Sequence, residues 1–160
     1  MPVLSTIHIN SPLGILRLSG NKTGLQEVAF VDEEVKLSEK IPESLADAVH
    51  QLQEYFEGRL KVFNLALNFE GTDLQKQVWQ ELLKIPYGKT LTYLTLARKL
   101  GDEKAIRAVA SVNAKNKLAI IVPCHRVIGV GGKLTGYAWG LHRKKWLLEL
   151  ENDTRQTVLF

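Results

Sequence analysis

The sequence has a single cysteine and no long apolar segment. Cys124 is the only cysteine among 160 residues, so the chain cannot form an internal disulfide. No stretch approaches the roughly 18 consecutive apolar residues of a membrane span, and the N-terminus lacks the basic and apolar regions of a signal peptide. These absences argue against a membrane or disulfide-stapled secreted protein, and they predict a cytoplasmic or nucleoid-associated protein whose thiol stays reduced.

The remaining composition is that of a folded globular protein with a basic bias. Apolar residues make up 45% and charged residues 24%, and the net charge is +4. Much of the positive excess lies late in the chain, at Lys99, Lys104, Arg107, Lys115, Lys117, Arg126, Lys133, Arg143, Lys144 and Lys145. This asymmetry suits a polyanionic partner such as nucleic acid, although a solvated basic surface would have the same composition.

The first 70 residues have the pattern of a small sheet followed by a helix. Residues 4–9, 14–19 and 25–31 are short apolar or alternating runs between turn residues, which predicts a meander of strands. Ser44 with Asp47 resembles a capping box, and it predicts the start of a helix that Gly58 ends. Residues 62–69 fit either another strand or an extended linker.

Helical patterns dominate from Thr72 onward. Thr72 and Gln75 form a capping box for a helix that ends before Pro86. A boundary near residue 70 would therefore divide an N-terminal α/β domain, residues 1–70, from a mostly helical C-terminal domain, residues 71–160.

Two short helices, at about 92–100 and 103–114, have the outline of a helix-turn-helix. Helical spacing predicts that the second helix turns one face to the core and the other outward. The inward residues would be Ile106, Val109 and Ala110, and the outward residues Lys104, Arg107, Ala108 and Ser111. Small outward residues would let the helix backbone approach a partner closely, but a solvated helix with incidental alanines would look the same.

The segment around Cys124 carries the strongest indication of chemistry. Residues 118–122 form a short apolar run, which predicts a buried strand that ends at Pro123 and delivers Cys124. A cysteine is nucleophilic only as a thiolate and needs a nearby base or positive field, which His125 and Arg126 can supply. An inert core thiol beside a structural histidine is the alternative.

The chain beyond this segment is predicted to form a loop and a last helix. Residues 129–136 contain four glycines, which indicates a mobile or tightly turned loop. A helix follows at about 142–151, and the final nine residues are polar and are expected to fray.

The pentapeptide Pro-Cys-His-Arg-Val at residues 123–127, with the Ile-Ile-Val run and the helix-turn-helix before it, resembles the active-site signature of the O6-alkylguanine-DNA alkyltransferases. These proteins are also called methylated-DNA–protein-cysteine methyltransferases. The resemblance extends from about Thr72 to Glu151. It implies an α+β fold, with a small N-terminal antiparallel sheet plus helix in a ribonuclease H-like layout, and a C-terminal domain that carries the helix-turn-helix and an active-site strand and turn.

The resemblance also implies a reaction and its catalytic residues. A methyl or alkyl group would move irreversibly from O6-alkylguanine in double-stranded DNA, with O4-methylthymine an open second substrate, to Cys124. His125 would activate the thiol through a water, Glu151 would orient the histidine, and Tyr93 would assist nucleotide flipping. Tyr93 is also a plausible proton donor to the departing base. The protein would act once, as a monomer, without a cofactor.

Further residues match the family's DNA-contacting and pocket positions. Arg107 would enter the DNA stack where the damaged base has left, beside a groove-facing surface of Ala108 and Ser111. The expected phosphate contacts are Lys104 and Lys115. The expected substrate pocket comprises Asn116, Tyr137, Ala138, Trp139 and Val127. Trp139 stands where some members have glycine, so its indole is expected to narrow the pocket.

The chain departs from the family pattern at a few positions. Asn116 is followed by lysine rather than the frequent proline, Ala110 replaces a frequent glycine, and Leu74 stands where phenylalanine is common. Some members bind a structural zinc near the N-terminus. This chain has no cysteine there and histidines only at 8, 50, 125 and 142, so no metal is expected.

Two other kinds of protein compete with this interpretation. A non-catalytic helix-turn-helix protein could bind lesions or act as a regulator, but the non-repairing relatives lack the cysteine that is present here. A thiol protease or acyltransferase would draw its cysteine and histidine from distant segments, whereas Cys124 and His125 are adjacent.

Overall fold

The computed structural model describes residues 3–152, which form two compact units. The first contains residues 3–70 together with Lys117–Ala119, and the second contains Gly71–Asn116 and residues 120–152. Most of the segment expected to fray, residues 153–160, lies outside the described residues.

The first unit is an antiparallel sheet with one helix, as the strand pattern predicted. Strands β1 (Ser5–Ile9), β2 (Ile15–Asn21) and β3 (Gly24–Val31) lie in the order β1-β2-β3. Helix α1 (Glu43–Phe56) packs against them through buried side chains that include Leu45 and Leu52. The alternating inward residues of β2, Leu16 and Leu18, are fully buried, so one face of the sheet forms the core of this unit.

The predicted capping box of α1 is wrong. The helix begins at Glu43, directly after Pro42, and has no side-chain cap. Ser44 is therefore already inside the first turn and cannot act as the N-cap. Proline fixes φ near the value needed at a helix start and has no N–H of its own to satisfy, which explains why the helix starts two residues earlier than predicted.

Residues 62–69, which fitted either a strand or a linker, are extended with one bridge. Leu67 pairs with Leu25, and the Leu25 N–H donates to the Ala66 carbonyl at 2.8 Å. A Cβ atom at Gly24 would lie 3.0 Å from that carbonyl oxygen, so glycine permits this close approach.

The second unit is mostly helical. Helix α2 (Asp73–Leu83) has the predicted capping box: the Thr72 N–H donates to Gln75 Oε1 at 2.9 Å, and the Gln75 N–H donates to Thr72 Oγ1 at 3.2 Å. The predicted helix pair is confirmed as α3 (Tyr93–Lys99) and α4 (Ile106–Ala114), with a short 3-10 turn at Glu103–Ala105. Helix α5 (Leu141–Glu151) ends the described chain. A two-residue parallel pair joins β4 (Leu91–Thr92) to β5 (Val127–Ile128).

The predicted strand over residues 118–122 is wrong. All five residues are buried, but only Leu118 makes a bridge, to Val28 within the first unit. Ile120 then turns the chain with φ of +72°, a conformation that branched side chains rarely adopt. A buried turn and a buried strand have the same apolar pattern, so the pattern alone could not separate them. A 3-10 turn at Cys124–Arg126 presents the cysteine instead.

The outward face of α4 is as predicted, but its inner face is not. Lys104, Arg107, Ala108 and Ser111 are all exposed. Val109 is buried, whereas Ile106 and Ala110 are partly exposed and line a cavity rather than the core. Among the helices of residues 3–152, none is both long and apolar enough to cross a membrane.

Candidate active site

Cys124 lies in the wall of a cavity of about 540 Å³ in the second unit. Its side chain is only 1% exposed. The other lining residues come from α3 (Tyr93), from α4 (Ile106, Arg107, Ala110, Asn113 and Ala114) and from the loop before α5 (Thr135, Gly136, Tyr137 and Ala138). The thiol therefore shares one cavity with the exposed helix face and with the glycine-containing loop.

Asn116 holds the thiol from behind the cavity wall. Its Nδ2 donates to the Val122 carbonyl at 2.9 Å and to Cys124 Sγ at 3.2 Å. The side chain is 5% exposed and is not part of the cavity lining. Asn116, expected in the substrate pocket, is therefore placed to fix the sulfur rather than to contact a ligand.

Burial raises the pKa of the Cys124 thiol to about 11, and the Asn116 hydrogen bond and the Lys144 charge only partly oppose this effect. The cysteine is therefore almost entirely protonated at neutral pH. A nearby base must then take the thiol proton during attack, because the resting thiolate fraction is too small to react quickly.

His125, Glu151 and Arg126 form one buried network. His125 Nε2 lies 2.7 Å from Glu151 Oε2, while Arg126 Nε donates to Glu151 Oε1 at 2.7 Å and its Nη2 donates to Oε2 at 3.1 Å. Burial alone would raise the pKa of Glu151, but the hydrogen bonds and charges of His125 and Arg126 hold it at about 2. The carboxylate is therefore ionised and can only accept hydrogen bonds.

This network leaves a basic nitrogen on His125. Burial lowers the pKa of His125, which keeps the ring neutral near pH 7. Because ionised Glu151 can only accept, the single ring proton belongs on Nε2, and Nδ1 keeps its lone pair. Nδ1 is buried and has no hydrogen-bond partner within residues 3–152. His125 can therefore act as a general base through Nδ1.

Three of the basic residues late in the chain are buried, although the charge pattern suggested a basic surface. Their hydrogen bonds connect the segments that form the site. Arg126, Arg143 and Lys144 are 7%, 5% and 0% exposed. Arg126 Nη1 also donates to the Ile85 carbonyl at 2.6 Å, and Lys144 Nζ donates to the carbonyls of Val127 at 2.6 Å and Gly136 at 2.9 Å. The charge pattern did not indicate this role, although Lys144 shares a helical face with Leu147 and Glu151.

Tyr93 and Tyr137 bring two phenol groups to the cavity. Burial raises the pKa of Tyr93, although hydrogen bonds with Thr135 and Asn113 oppose it, so its hydroxyl stays a proton donor at neutral pH. Burial also raises the pKa of Tyr137, whose hydroxyl oxygen has no hydrogen-bond partner in the described part of the chain. Thr135 and Asn113 are lining residues that the sequence analysis missed.

The remaining pocket residues divide into lining and supporting positions. Ala138 lines the cavity, whereas Val127 is fully buried and offers its carbonyl to Lys144. Trp139 is not in the lining; its ring packs edge-to-face on Tyr137 with 5.4 Å between centroids. The expectation that its indole directly narrows the pocket is replaced by an indirect contact through Tyr137.

The residues expected to contact DNA lie on or next to α4. Lys104, in the 3-10 turn before α4, and Lys115, directly after it, are exposed. Arg107 is both exposed and part of the cavity lining, with Ala108 and Ser111 exposed on the same helix. One helix therefore connects an open surface with the cavity that holds Cys124.

Replacing Glu151 with glutamine should destabilise the protein at neutral pH by roughly 3 kcal/mol, because buried Arg126 loses its counter-charge. The pKa of Glu151 is lowered from 4.5 to about 2, so its stabilisation is present above pH 4.5 and is lost as the pH falls toward 2. The free energy of unfolding, measured with urea at pH 7 and pH 3, should therefore differ between wild type and Glu151→Gln mainly at pH 7. Glu149→Gln, at an exposed position of the same helix, is the control. An equal difference at both pH values would contradict this role.

Comparison with known proteins identifies the family. Residues 5–69 match the family model described as the ribonuclease-like domain of 6-O-methylguanine DNA methyltransferase, and residues 73–153 match the model described as its DNA-binding domain. The chain is 48% identical over 150 residues to a methylated-DNA–protein-cysteine methyltransferase of Methanosarcina acetivorans, covering 89% of this chain and 95% of the relative. It is 46% identical over 149 residues to the protein of that name from Mycobacterium tuberculosis, covering 91% and 90%.

Solved structures agree. The crystal structure of Mycobacterium tuberculosis O6-methylguanine methyltransferase superposes with a TM-score of 0.84 at 40% identity, covering 99% of this chain and 100% of that one. A crystal structure of Mycobacterium tuberculosis OGT in complex with DNA has the same TM-score at 44% identity, covering 92% and 93%. Since both family models match and the similarity runs along nearly the whole chain, this protein belongs to the 6-O-methylguanine-DNA methyltransferase family, the O6-alkylguanine-DNA alkyltransferases.

Proposed function

We propose that this chain repairs alkylated DNA by direct reversal, moving an alkyl group from O6 of guanine onto Cys124. The observation that carries the proposal is a buried thiol in a cavity that also receives Arg107 from an exposed helix, with the neutral base His125 next in sequence. The family membership, and relatives named methylated-DNA–protein-cysteine methyltransferase, support the same reaction.

The transfer is a single displacement at the alkyl carbon. The bond from Cys124 Sγ to that carbon forms while the bond from the carbon to guanine O6 breaks, and the bonding electron pair leaves with the base. The thiol proton passes to His125 Nδ1 through an intervening water, and the Tyr93 hydroxyl donates a hydrogen bond or proton to the departing base. Over the whole reaction, the proton lost by the thiol equals the proton gained by guanine.

The product explains why one protein molecule should repair one lesion. Cys124 ends as a thioether, which has no good leaving group and no free electron pair on a thiolate with which to start again. The step neither oxidises nor reduces any group, so it requires no cofactor. The reaction is therefore stoichiometric and irreversible.

Reaction at guanine O6 requires the nucleotide to leave the helix, because Cys124 is buried in the wall of a cavity that a stacked base cannot enter. A damaged, weakly paired base costs less to extrude. Ala108 and Ser111 are exposed and have small side chains, so this face of α4 can enter a minor groove that is only about 6 Å wide. Arg107 occupies the space that the base has left, and Lys104 and Lys115 contact phosphates.

The oligomeric state, the cellular compartment and the domain boundary of the protein are proposed as follows. All groups of the candidate site belong to one unit of one chain, so the protein acts as a monomer. A cysteine that works as a free nucleophile suits a reducing compartment such as the cytoplasm, with the nucleoid as the place of DNA binding. We also propose a domain boundary near residue 70, which is supported by the two compact units, with Lys117–Ala119 grouped in the first.

The proposed function is tested by intact mass spectrometry after mixing the protein with duplex DNA that contains one O6-methylguanine. We expect the protein to gain the mass of one methyl group in place of a hydrogen, and peptide mapping to place it on Cys124. The control is the same duplex with unmodified guanine. Tight binding to the lesion without any gain in mass would instead identify a non-catalytic lesion-binding protein.

Arg107→Ala should slow repair of O6-methylguanine in duplex DNA by about 10- to 100-fold. The flipped state would lose the side chain that replaces base stacking, and unstacking a base costs a few kcal/mol. Transfer from the free base or from single strands should change far less, since neither requires flipping out of a duplex. Single-turnover rates on the three substrates measure the effect. Lys104→Ala, as a control, should mainly reduce the salt dependence of binding. Equal slowing of Arg107→Ala on all three substrates would assign Arg107 to packing.

Trp139→Gly should make the protein react faster with O6-benzylguanine, while its rate with O6-methylguanine stays similar. The indole packs behind Tyr137, so removing it lets the phenol withdraw and gives a bulky substituent more room. Room for a single methylene is worth about 1–3 kcal/mol in a packed pocket, so an increase of at least tenfold is expected. Trp139→Phe keeps a ring behind Tyr137 and serves as the matched control. The idea fails if Trp139→Gly is inactivated no faster than Trp139→Phe.

A further inference from the structure

Tyr87 lies in the turn after α2, beside the buried network, and the reaction above gives it no role. The side chain is half-buried, and its ring lies under the Arg126 guanidinium, with 5.8 Å between Cζ and the ring centroid. Its hydroxyl donates to the Leu150 carbonyl, in the last turn of α5, at 3.3 Å. Tyr87 therefore contacts both the arginine of the network and the helix that carries Glu151.

The turn that carries Tyr87 is held close to the network on both sides of the tyrosine. Before it, the Ile85 carbonyl accepts a hydrogen bond from Arg126 Nη1 at 2.6 Å. After it, Gly88 has φ of +80°, and a Cβ atom there would lie 3.0 Å from the Glu151 carbonyl oxygen, so glycine permits this close approach. Residues 85–88 are therefore held at both ends, which fixes the place of the Tyr87 ring.

The contacts of Arg126 explain what this ring adds. Hydrogen bonds engage its three guanidinium nitrogens, because Nε and Nη2 donate to Glu151 and Nη1 donates to Ile85. The face of an aromatic ring attracts a cation within about 6 Å of its centroid. Tyr87 therefore stabilises the position of the guanidinium that the hydrogen bonds to Glu151 require.

The position of Arg126 matters because its charge acts on His125. The charged groups that face His125 are Glu151 and Lys144 from α5 and Arg126 from its own turn, and the neighbouring Cys124 is protonated. Burial lowers the pKa of His125, Glu151 raises it, and the charges of Arg126 and Lys144 lower it further. If Arg126 moved away, the carboxylate would act on His125 with less opposition, and the pKa of His125 would rise.

Resting on the proposed function, we propose that Tyr87 is a positioning residue of the transfer reaction, whose ring holds Arg126 on Glu151. This pair in turn keeps His125 neutral and oriented through Nε2, so that Nδ1 can accept the thiol proton. Tyr87 does not line the cavity that holds Cys124, so it acts on the reaction through Arg126 and not by contact with the substrate.

The test measures how the transfer rate of Tyr87→Leu depends on pH, with free O6-benzylguanine as substrate under single-turnover conditions. Loss of the ring lets Arg126 move, so the pKa of His125 rises and acid inactivates the variant sooner. We expect the midpoint of this loss to move upward by about one pH unit. At pH values below both midpoints, the variant should therefore be about tenfold slower than wild type, and the two rates should converge near pH 8.

An NMR titration of the His125 ring measures the same shift in the resting protein, without any transfer. The ring of Tyr87→Leu should become protonated at a higher pH than the ring of wild type. If Tyr87→Leu does not fold, Tyr87→Met, which also lacks the ring, is measured in the same way.

Two variants separate the contact with Arg126 from other effects of the side chain. Tyr87→Phe keeps the ring and loses only the hydrogen bond to Leu150, so its midpoint should stay close to that of wild type. Phe63→Leu removes a half-buried ring in the first unit, where Phe63 packs on Tyr55 with 5.4 Å between centroids. It should lower the free energy of unfolding but leave the midpoint unchanged.

Two outcomes overturn the proposal. An unshifted midpoint in Tyr87→Leu, even with a rate reduced by the same factor at every pH, would assign Tyr87 to general packing. A midpoint shifted as far in Tyr87→Phe as in Tyr87→Leu would assign the effect to the hydroxyl and not to the ring. Absence of alkyl transfer by wild type would instead overturn the proposed function, and the NMR titration would still test the role of Tyr87.

Discussion

Replacing Cys124 with serine is expected to abolish alkyl transfer while leaving binding to lesion DNA nearly intact. Serine is close in size, so the hydrogen bond from Asn116 and the packing of the turn at Cys124–Arg126 should survive. An alcohol is a far weaker nucleophile than a thiol at neutral pH. The surface proposed to contact DNA lies on α4, a different element, so affinity should not depend on the sulfur.

The result is measured as methyl transferred per protein molecule with excess O6-methylguanine DNA, alongside binding by fluorescence anisotropy. Wild type should reach a plateau of one methyl per protein, and Cys124→Ser should stay at zero over the same time. Matched binding curves for the two proteins would show that the loss is chemical. Turnover beyond one equivalent in wild type, or any transfer by Cys124→Ser, would contradict a suicide mechanism in which Cys124 is the acceptor.

Local signals in the sequence were enough to predict most elements. The capping box at Thr72, the two helices at about 92–100 and 103–114, and the three strand runs each rest on interactions between residues close in the chain, and the structure confirms the helices and strands that they predict. The capping box predicted at Ser44 failed because Pro42, two residues earlier, also favours a helix start. Local patterns identify an element reliably but fix its first residue less well.

Tertiary contacts decided what local patterns could not. Residues 118–122 are apolar because they are buried, yet Leu118 pairs with Val28, and the chain turns at Ile120 instead of continuing as a strand. Arg126 and Lys144 are basic residues that face inward, because a carboxylate in one case and two backbone carbonyls in the other satisfy them. Neither set of partners is adjacent in sequence, so the charge pattern alone suggested a surface.

In the candidate site, too, the sequence predicted some features, whereas others depend on tertiary contacts. The pentapeptide and the resemblance that it carries placed Cys124, His125 and Glu151 in one reaction. They did not reveal that burial raises the pKa of the thiol to about 11, nor that the side-chain oxygen of Asn113 is buried without a hydrogen-bond partner among residues 3–152. Both depend on how closely the surrounding helices and loop enclose the site.

Replacing His125 with alanine should slow transfer at pH 7 by about 10²- to 10⁴-fold, the usual contribution of a general base. With a thiol pKa of about 11, roughly one molecule in 10,000 is a thiolate at pH 7, so attack by preformed thiolate is slow. Wild type avoids this limit because His125 Nδ1 takes the proton as the bond forms. The variant can react only through its small thiolate fraction.

Proton transfer to His125 during attack and attack by preformed thiolate predict different dependences of the rate on pH. The rate of His125→Ala should rise about tenfold for each pH unit up to about pH 11, since each unit raises the thiolate fraction tenfold. The wild-type rate should be nearly flat above the pKa of His125, which burial lowers, and should fall only when acid protonates the ring. The two curves should therefore approach each other as the pH rises. Single-turnover rates with free O6-benzylguanine between pH 6 and 9.5 measure this without interference from DNA binding. A constant ratio between the two proteins across that range would mean that His125 positions the site but does not accept the proton.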